Sequence, residues 1–204
     1  MEISDSLTAL GLEAAASHLE ELLSEAEREG LSYSRFLSRM LALELSSRKR
    51  KREAMLMRLS RLPQVKTLAS FDFAAVPDLD PKIVSELATL RFVESKDNVL
   101  FLGPPGVGKT HLAIALAMEA IRGGHKAYFT TLKEMIERLS RSAASARSMR
   151  AFSQPSLLII DEVGYLPMGP AEAHLFFQVI SARYEKGSVI ITSNKGVGEW
   201  GEYL

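Results

Sequence analysis

The sequence predicts an α/β fold in which a parallel sheet lies between layers of helices and follows a small N-terminal helical domain. Three observations in the 204-residue chain support this prediction. Short runs of large aliphatic residues alternate with helical segments in its second half. One run ends in a glycine-rich turn and another ends in paired acidic residues. Such near-continuous apolar runs are typical of parallel strands, because helices cover both faces of a parallel sheet.

Residues 1–66 are predicted to form the helical domain. Apolar residues recur at helical spacing from Leu7 to Leu23, Gly30 interrupts the pattern, and the pattern resumes at Ser32. The second helix continues through a basic stretch and ends before Pro63. Its apolar positions are Phe36, Leu37, Met40, Leu41 and Leu43. This pattern predicts a small helical bundle.

Charge is distributed unevenly along this domain, although the formal net charge of the chain is zero. Residues 1–47 hold three basic and nine acidic residues, whereas residues 48–66 hold eight basic residues and one acidic residue. Consecutive cations repel one another, and packing alone gives no reason for them. Such runs are typical of proteins that bind phosphate backbones, with a solvated helix face or an acidic protein partner as the alternatives. The candidate DNA-binding residues are Arg48, Lys49, Arg50, Lys51, Arg52 and Arg58, and Arg61 lies close to them in the chain.

Composition sets the expected compartment. The chain has no cysteine, which excludes disulfides and cysteine-type zinc sites. It has no basic-then-apolar signal peptide and no apolar run near the ~20 residues that a membrane helix needs. We therefore expect a cytoplasmic protein with no membrane partner.

Residues 67–97 are predicted to form a linker and one short helix. The first part holds two prolines and shows no helical period, and Phe71 and Phe73 are its predicted anchors. Residues 82–92 form an amphipathic pattern. Because this helix directly precedes the glycine-rich strand, we expect it to brace the pocket that this strand opens.

The glycine-rich turn is a phosphate-binding loop. Residues 103–110 match G-x-x-x-x-G-K-[ST], with an apolar strand before them and a helical pattern over 111–122 after them. Its glycines let successive backbone N–H groups point at a phosphate, and the following helix adds its positive end. Lys109 would reach the β- and γ-phosphates, and the Thr110 hydroxyl would bind Mg²⁺. The predicted nucleotide-binding residues are Gly103, Pro104, Pro105, Gly106, Val107, Gly108, Lys109, Thr110 and His111.

The rest of the nucleotide domain, residues 98–204, alternates further strands and helices. A strand over 126–131 precedes a helix over 132–148 with basic residues, and a buried strand ends at Asp161 and Glu162. In a parallel sheet, the carboxyl ends of the strands form the edge where ligands bind. Asp161 would hold Mg²⁺ opposite Thr110, and Glu162 would deprotonate the water that attacks the γ-phosphate. Paired acids favour hydrolysis over transfer to a small molecule, the reaction of a P-loop kinase.

A last predicted strand, residues 188–194, follows a helix over 171–184. It brings Thr192, Ser193 and Asn194 to the same edge of the sheet. Asn194 is the predicted catalytic partner of Lys109 and Glu162, because its amide could hold the attacking water or sense the γ-phosphate. Asn-Lys-Gly is also good turn chemistry, and the two interpretations are compatible.

Three blocks of residues resemble the IstB-like ATP-binding proteins, helper ATPases of insertion-sequence transposition in the AAA+ class, close to the DnaC-type helicase loaders. The first block is Gly103–Thr110 with His111-Leu-Ala, and the second is Leu157–Glu162 with Val-Gly-Tyr-Leu-Pro167. The third is Arg183–Lys195 with Glu199-Trp-Gly201. The N-terminal helices and Phe71-Asp-Phe73 also look like the family.

The resemblance implies a three-layer α/β/α P-loop NTPase of AAA+ type behind a small helical domain. It further implies ATP and Mg²⁺ as cofactors, ATP-dependent homo-oligomers on DNA of largely any sequence, and a transposase as partner. The family's module continues beyond the Glu-Trp-Gly block with a fifth strand, a lid and arginines that contact ATP, whereas this sequence stops at Leu204. One alternative is a DnaC-like helicase loader in replication, because the sequence chemistry alone does not assign the partner. The other is an ATP-binding fragment without turnover.

Overall fold

The computed structural model describes residues 2–141, 145–165 and 167–202. The chain forms two compact units, Met1–Met55 and Leu56–Leu204. The boundary lies within one helix, Tyr33–Ser60, whereas the sequence predicted a domain end at residue 66. None of the helices in these described ranges has the length and apolar character that crossing a membrane requires.

The first unit is helical. It contains α1 (Ile3–Ala9), α2 (Glu13–Ser17), α3 (Leu19–Glu29) and the larger part of α4 (Tyr33–Ser60). Gly30 ends α3 in the left-handed conformation, with φ of 60°, and its N–H closes the last turn of that helix. The small core consists of Leu7, Ala15, Leu19 and Met40. The predicted apolar set of α4 is therefore only partly correct, since Leu37 and Leu41 are about half exposed.

The second unit contains a four-stranded parallel sheet with helices on both faces. Its elements are α5 (Pro81–Ala88), α6 (Arg91–Ser95), β1 (Val99–Leu102), α7 (Lys109–Arg122), β2 (Ala127–Thr131), α8 (Leu132–Ser140), α9 (Ser145–Ser153), β3 (Leu157–Val163), α10 (Pro170–Arg183) and β4 (Ser188–Ser193). The strand order is β1-β4-β3-β2. All three pairings are parallel, which confirms the predicted α/β fold and places the four carboxyl ends at one edge.

Alternate side chains of the central strands enter two separate cores. Leu157 and Ile159 of β3 pack with α7, whereas Leu158 and Ile160 pack with α8 and α10 on the other face. All four are fully buried. This two-sided burial explains the uninterrupted aliphatic run in the sequence.

Two helices predicted as single elements are interrupted. The predicted helix over 82–92 is divided into α5 and α6, because Leu90 adopts a left-handed conformation with φ of 63° while its side chain packs against the core. The predicted helix over 132–148 is divided into α8 and α9. Arg141 is extended and ends α8, and part of the interval, residues 142–144, lies outside the described residues. Neither interruption contains glycine or proline, so the sequence pattern did not indicate it.

Arg183 connects α9 with the amino-terminal end of β4. Its guanidinium is buried and donates hydrogen bonds of 2.7 Å to the carbonyls of Phe152 and Ser188. Burial without a carboxylate lowers the pKa of Arg183 to about 10. It lies at the opposite edge of the sheet from the phosphate-binding loop, so its role is structural.

Replacing Arg183 with Met should destabilise the second unit by about 3 kcal/mol, because buried carbonyls lose their donors. Urea unfolding of the full chain would measure this change. Arg122→Met is the matched control, since Arg122 is an exposed residue paired with Glu119 and should change stability by less than about 1 kcal/mol. Equal stability of the two variants would contradict the structural role of Arg183.

Candidate functional site

The phosphate-binding loop connects β1 to α7. Gly106 and Gly108 have φ angles of 86° and 87°, which residues with a side chain rarely adopt. These angles curl the backbone at the start of α7, where the unpaired N–H groups of a first helical turn favour an anion. The loop therefore has the backbone conformation that the sequence motif predicts.

Lys109 folds back over this loop. Its Nζ donates to the carbonyl oxygens of Gly103 at 2.7 Å and Pro104 at 2.8 Å. Burial lowers the pKa of Lys109, and the charge of Asp161 partly opposes this shift. The ammonium is consequently held by the loop itself and is available to an anion that the same loop binds.

A chain of hydrogen bonds connects three segments at the carboxyl edge of the sheet. The hydroxyl of Thr110 donates to both carboxylate oxygens of Asp161, at 2.9 and 3.2 Å. The hydroxyl of Thr192 donates to the same carboxylate and accepts the backbone N–H of Glu162 at 3.1 Å. Asp161 is buried, so these two hydroxyls supply the donors that a buried carboxylate requires.

Glu162 departs from the regular strand. Its φ is 63°, and the pairing of β3 with β4 shifts between Ile160 and Val163. The bulge leaves the Glu162 side chain exposed while Asp161 and Val163 on either side are buried. A strained backbone held in this way is often found at functional sites, where it directs one side chain away from the sheet.

Asn194 follows β4 at the same edge. Its Oδ1 atom is buried and accepts no hydrogen bond from the described residues. A buried amide oxygen without a donor is costly, and a bound water molecule is one donor that would satisfy it. The sequence-based role of Asn194, to hold the attacking water or to sense the γ-phosphate, stays a prediction.

The linker before α5 packs against the phosphate-binding loop. If residue 108 had a Cβ atom, that atom would lie only 2.6 Å from the Phe71 ring. The close packing of Phe71 on the loop therefore requires glycine at this position. The Phe71 ring also makes an edge contact with His111, whose Nε2 is 2.9 Å from the carbonyl oxygen of Thr67. The sequence indicated Phe71 as an anchor but did not identify the loop as its partner. The His111 side chain, predicted to bind nucleotide, contacts the linker.

The expected brace for the pocket contacts a different part of α7. Leu90, between α5 and α6, lies beside Gly123 at the far end of that helix. The segment Thr67–Phe71 instead packs against the start of α7, where the phosphate-binding loop lies. The contact follows from side-chain packing across more than 30 residues, which the local pattern does not contain.

Part of the basic segment is paired within the first unit. Arg48 donates to Glu44 at 2.8 Å and to the Gly11 carbonyl at 2.8 Å, and Lys51 pairs with Glu13 at 2.6 Å. Arg52 also has an interaction partner. Packing therefore does explain two of the five cations, contrary to the argument from sequence. Lys49 and Arg50 are exposed and have no ion pair with another described residue.

The Glu44 side chain, the partner of Arg48, is part of the folded structure of the first unit. The carboxylate is buried and accepts the N–H groups of Ala14 and Ala15 at the start of α2. The hydrogen bond from Arg48, with these backbone donors, lowers the pKa of Glu44. Arg48 thus stabilises a buried anion in addition to any role toward a ligand.

Comparison with known proteins agrees with this geometry. Residues 5–204 match the family of IstB-like ATP binding proteins. The ATP-binding protein of insertion sequence IS5376 from Geobacillus stearothermophilus is 45% identical over 96% of this chain and 79% of that protein. The ATP-binding protein of insertion sequence IS21 from Pseudomonas aeruginosa is 46% identical over 98% of this chain and 77% of that protein.

Solved structures share the fold. DnaI superposes with a TM-score of 0.55 at 21% identity, covering 72% of this chain and 77% of that one. The replication initiator DnaA, bound to AMPPCP and single-stranded DNA, superposes with a TM-score of 0.53 at 17% identity. The match covers 60% of this chain but only 40% of the DnaA chain. At these identities the likeness establishes the α/β architecture alone.

Replacing Lys109 with Ala should abolish detectable ATP binding, because the loop loses the cation that it holds beside its carbonyls. Isothermal titration with ATP would measure the affinity. Lys186→Ala is the matched control, since Lys186 is an exposed lysine of the same unit beyond α10. Normal ATP affinity of the Lys109 variant would contradict the assignment of the phosphate-binding loop.

Proposed function

Because the chain belongs to the IstB-like ATP-binding protein family, we propose that it is an AAA+ ATPase that assembles on DNA and assists a transposase. The observation that carries this proposal is the hydrogen-bond chain from Thr110 through Asp161 and Thr192 to Glu162. It joins the phosphate-binding loop to an acidic pair at one edge of the sheet. Binding alone would not require an exposed carboxylate there, whereas hydrolysis does.

The site fits ATP with Mg²⁺. The glycine loop and Lys109 would hold the phosphates, and Thr110 and Asp161 would hold the metal ion. Within the described part of the chain, no three histidine or acidic side chains gather as metal ligands. Mg²⁺ typically keeps several waters and takes substrate phosphates with one or two protein ligands, so this sparse set is suitable. Bound Mg²⁺ would neutralise charge that develops on the phosphate oxygens.

Three residues of the site would each have a different role in ATP hydrolysis. Glu162 accepts a proton from water while the water oxygen bonds to the γ-phosphorus and the bond to the β,γ-bridging oxygen breaks, which yields ADP and inorganic phosphate. Lys109 stabilises the negative charge on the phosphates. The Oδ1 atom of Asn194 accepts a hydrogen bond from the attacking water and orients it.

The exposed cations of α4 support a DNA partner. Lys49 and Arg50 have no carboxylate partner among the described residues and are therefore available to phosphates. Arg48, Lys51 and Arg52 belong to the same proposed surface of the first unit, and Arg58, in the second unit, is a separate candidate contact. The exposed pair of Lys51 with Glu13 is weak enough to exchange for a phosphate contact, whereas Arg48 also holds the buried carboxylate of Glu44.

The relatives favour transposition over replication as the setting. Proteins at 45% and 46% identity carry the name of an insertion sequence, whereas the likeness to DnaI is one of fold at 21% identity. We therefore place a transposase, an ATP-dependent homo-oligomer and a cytoplasmic location in this proposal. The alternative is a chain that binds ATP without hydrolysing it, and the next experiment distinguishes it from an active ATPase.

Replacing Glu162 with Gln should retain ATP binding and reduce the ATPase rate by roughly 100-fold, because the general base is lost. Steady-state phosphate release with and without duplex DNA would test this. The exposed acid Glu172 provides a control, and Glu172→Gln should keep the wild-type rate. Unchanged turnover in the Glu162 variant would remove this residue from its role. ATP binding without turnover in the wild-type chain would instead support the silent alternative.

Replacing both Lys49 and Arg50 with Ala should weaken duplex binding and lower the slope of log affinity against log salt by about two. Fluorescence anisotropy with a labelled duplex would measure both quantities. Arg28→Ala combined with Arg35→Ala removes the same charge from the same unit and serves as the control. If the two double variants have equal slopes, the basic segment does not contact the DNA backbone.

A further inference from the structure

Two arginines of the second unit converge on one phenol. Arg61 follows α4, and its Nη1 lies 3.4 Å from the hydroxyl oxygen of Tyr128 on β2. Arg138, on α8, donates from its own Nη1 to the same oxygen. Arg61 lies 67 positions before Tyr128 in the chain, so the fold itself brings it to this cluster.

The cluster carries two positive charges and no negative one. In the described part of the chain, neither guanidinium has a carboxylate within 4.0 Å. Two cations that share one neutral acceptor repel each other. An anion with more than one acceptor oxygen would relieve this repulsion and take hydrogen bonds from both groups.

Aromatic rings hold Arg138 in place. Its guanidinium carbon lies 5.0 Å from the centre of the buried Phe152 ring and 5.8 Å from that of Tyr128. Phe152 and Tyr128 in turn make an edge contact at 5.8 Å. This packing positions the cation without using its hydrogen-bond donors, so several of them remain free for a ligand.

We propose that Arg61 and Arg138 form a phosphodiester-binding site on the ATPase unit, and this proposal rests on the proposed DNA-associated function. A phosphodiester presents two non-bridging oxygens that two guanidinium groups can contact together, and arginine is well suited to such contacts. Exposed Arg58 lies one helical turn before Arg61, and exposed Arg141 lies three residues after Arg138. These further cations favour an extended polyanion over one small anion as the ligand.

This site is separate from the basic segment Arg48–Arg52. That segment belongs to the first unit, whereas Arg61, Tyr128 and Arg138 belong to the second. DNA would consequently contact the unit that contains the ATP site as well as the helical unit. An acidic polypeptide is the competing ligand, and the experiment includes it.

The test measures anisotropy of a fluorescein-labelled 30-base-pair duplex of arbitrary sequence with the full chain. Arg61→Ala and Arg138→Gln should each weaken binding by about three- to tenfold and lower the salt slope by about one. Arg122→Ala removes an exposed, carboxylate-paired arginine of the same unit and should leave the affinity within about twofold. Unchanged binding in both cluster variants overturns the proposal.

Tyr128→Phe separates anion binding from a structural bond. It removes the shared acceptor and keeps both guanidinium groups, so duplex affinity should stay within about twofold of wild type. If Tyr128→Phe weakens binding as much as Arg61→Ala does, the arginines act by holding the fold and the proposal fails. Thermal unfolding of each variant identifies any loss that comes from instability, and Arg61, exposed beyond the end of α4, is the less disruptive of the two positions.

A polyglutamate peptide tests the competing ligand. If the cluster variants lose affinity for this peptide while duplex binding is unchanged, the site is for an acidic polypeptide and the proposal is wrong. The Lys49/Arg50 double variant then distinguishes a failure of this inference from a failure of the proposed DNA-associated function. DNA binding that depends on Lys49 and Arg50 but not on Arg61 and Arg138 contradicts this inference alone. A wild-type chain that binds no duplex contradicts the proposed DNA-associated function as well.

Discussion

The buried carboxylate of Asp161 is the constraint on which the site depends. A carboxylate in the interior must be surrounded by donors, and here two threonine hydroxyls from different segments supply them. Thr110 brings the first turn of α7 to β3, and Thr192 brings β4. Because Thr192 also accepts the N–H of Glu162, the same network supports the backbone of the residue proposed as the base. The proposed metal ligand, the position of the loop and the backbone of Glu162 are therefore linked through one side chain.

The parallel sheet makes this network possible. Four strands with the same direction bring a glycine loop, an acidic pair and an asparagine to one edge, although these segments are about 30 to 90 residues apart in the chain. At the opposite edge, Arg183 joins α9 to the beginning of β4 through main-chain carbonyls. One edge is thus held by a buried cation and the other by a buried anion.

The sequence predicted the parts of the site that short motifs contain. The glycine loop, Lys109, Thr110 and the acidic pair could be located because each has a characteristic local pattern with a strand beside it. Three contacts could not be predicted in this way. They are the contact of Phe71 with Gly108, the hydrogen bonds of Thr192 to Asp161 and Glu162, and the approach of Arg61 to Arg138 at one phenol. These contacts join residues 30 to 77 positions apart, and their side chains have no periodic signal. The partial pairing of the basic segment was missed for the same reason, since Glu13 and Gly11 lie on other elements.

The central claim is that Asp161, held by the two threonines, links the metal ion to the nucleotide. The most direct test compares ATP affinity with and without Mg²⁺ for the wild-type chain and for Asp161→Asn, a change that keeps the shape of the side chain and removes its charge. The account predicts that Mg²⁺ strengthens ATP binding by about tenfold or more in the wild type and has little effect in the variant. Equal strengthening by Mg²⁺ in both proteins would contradict it.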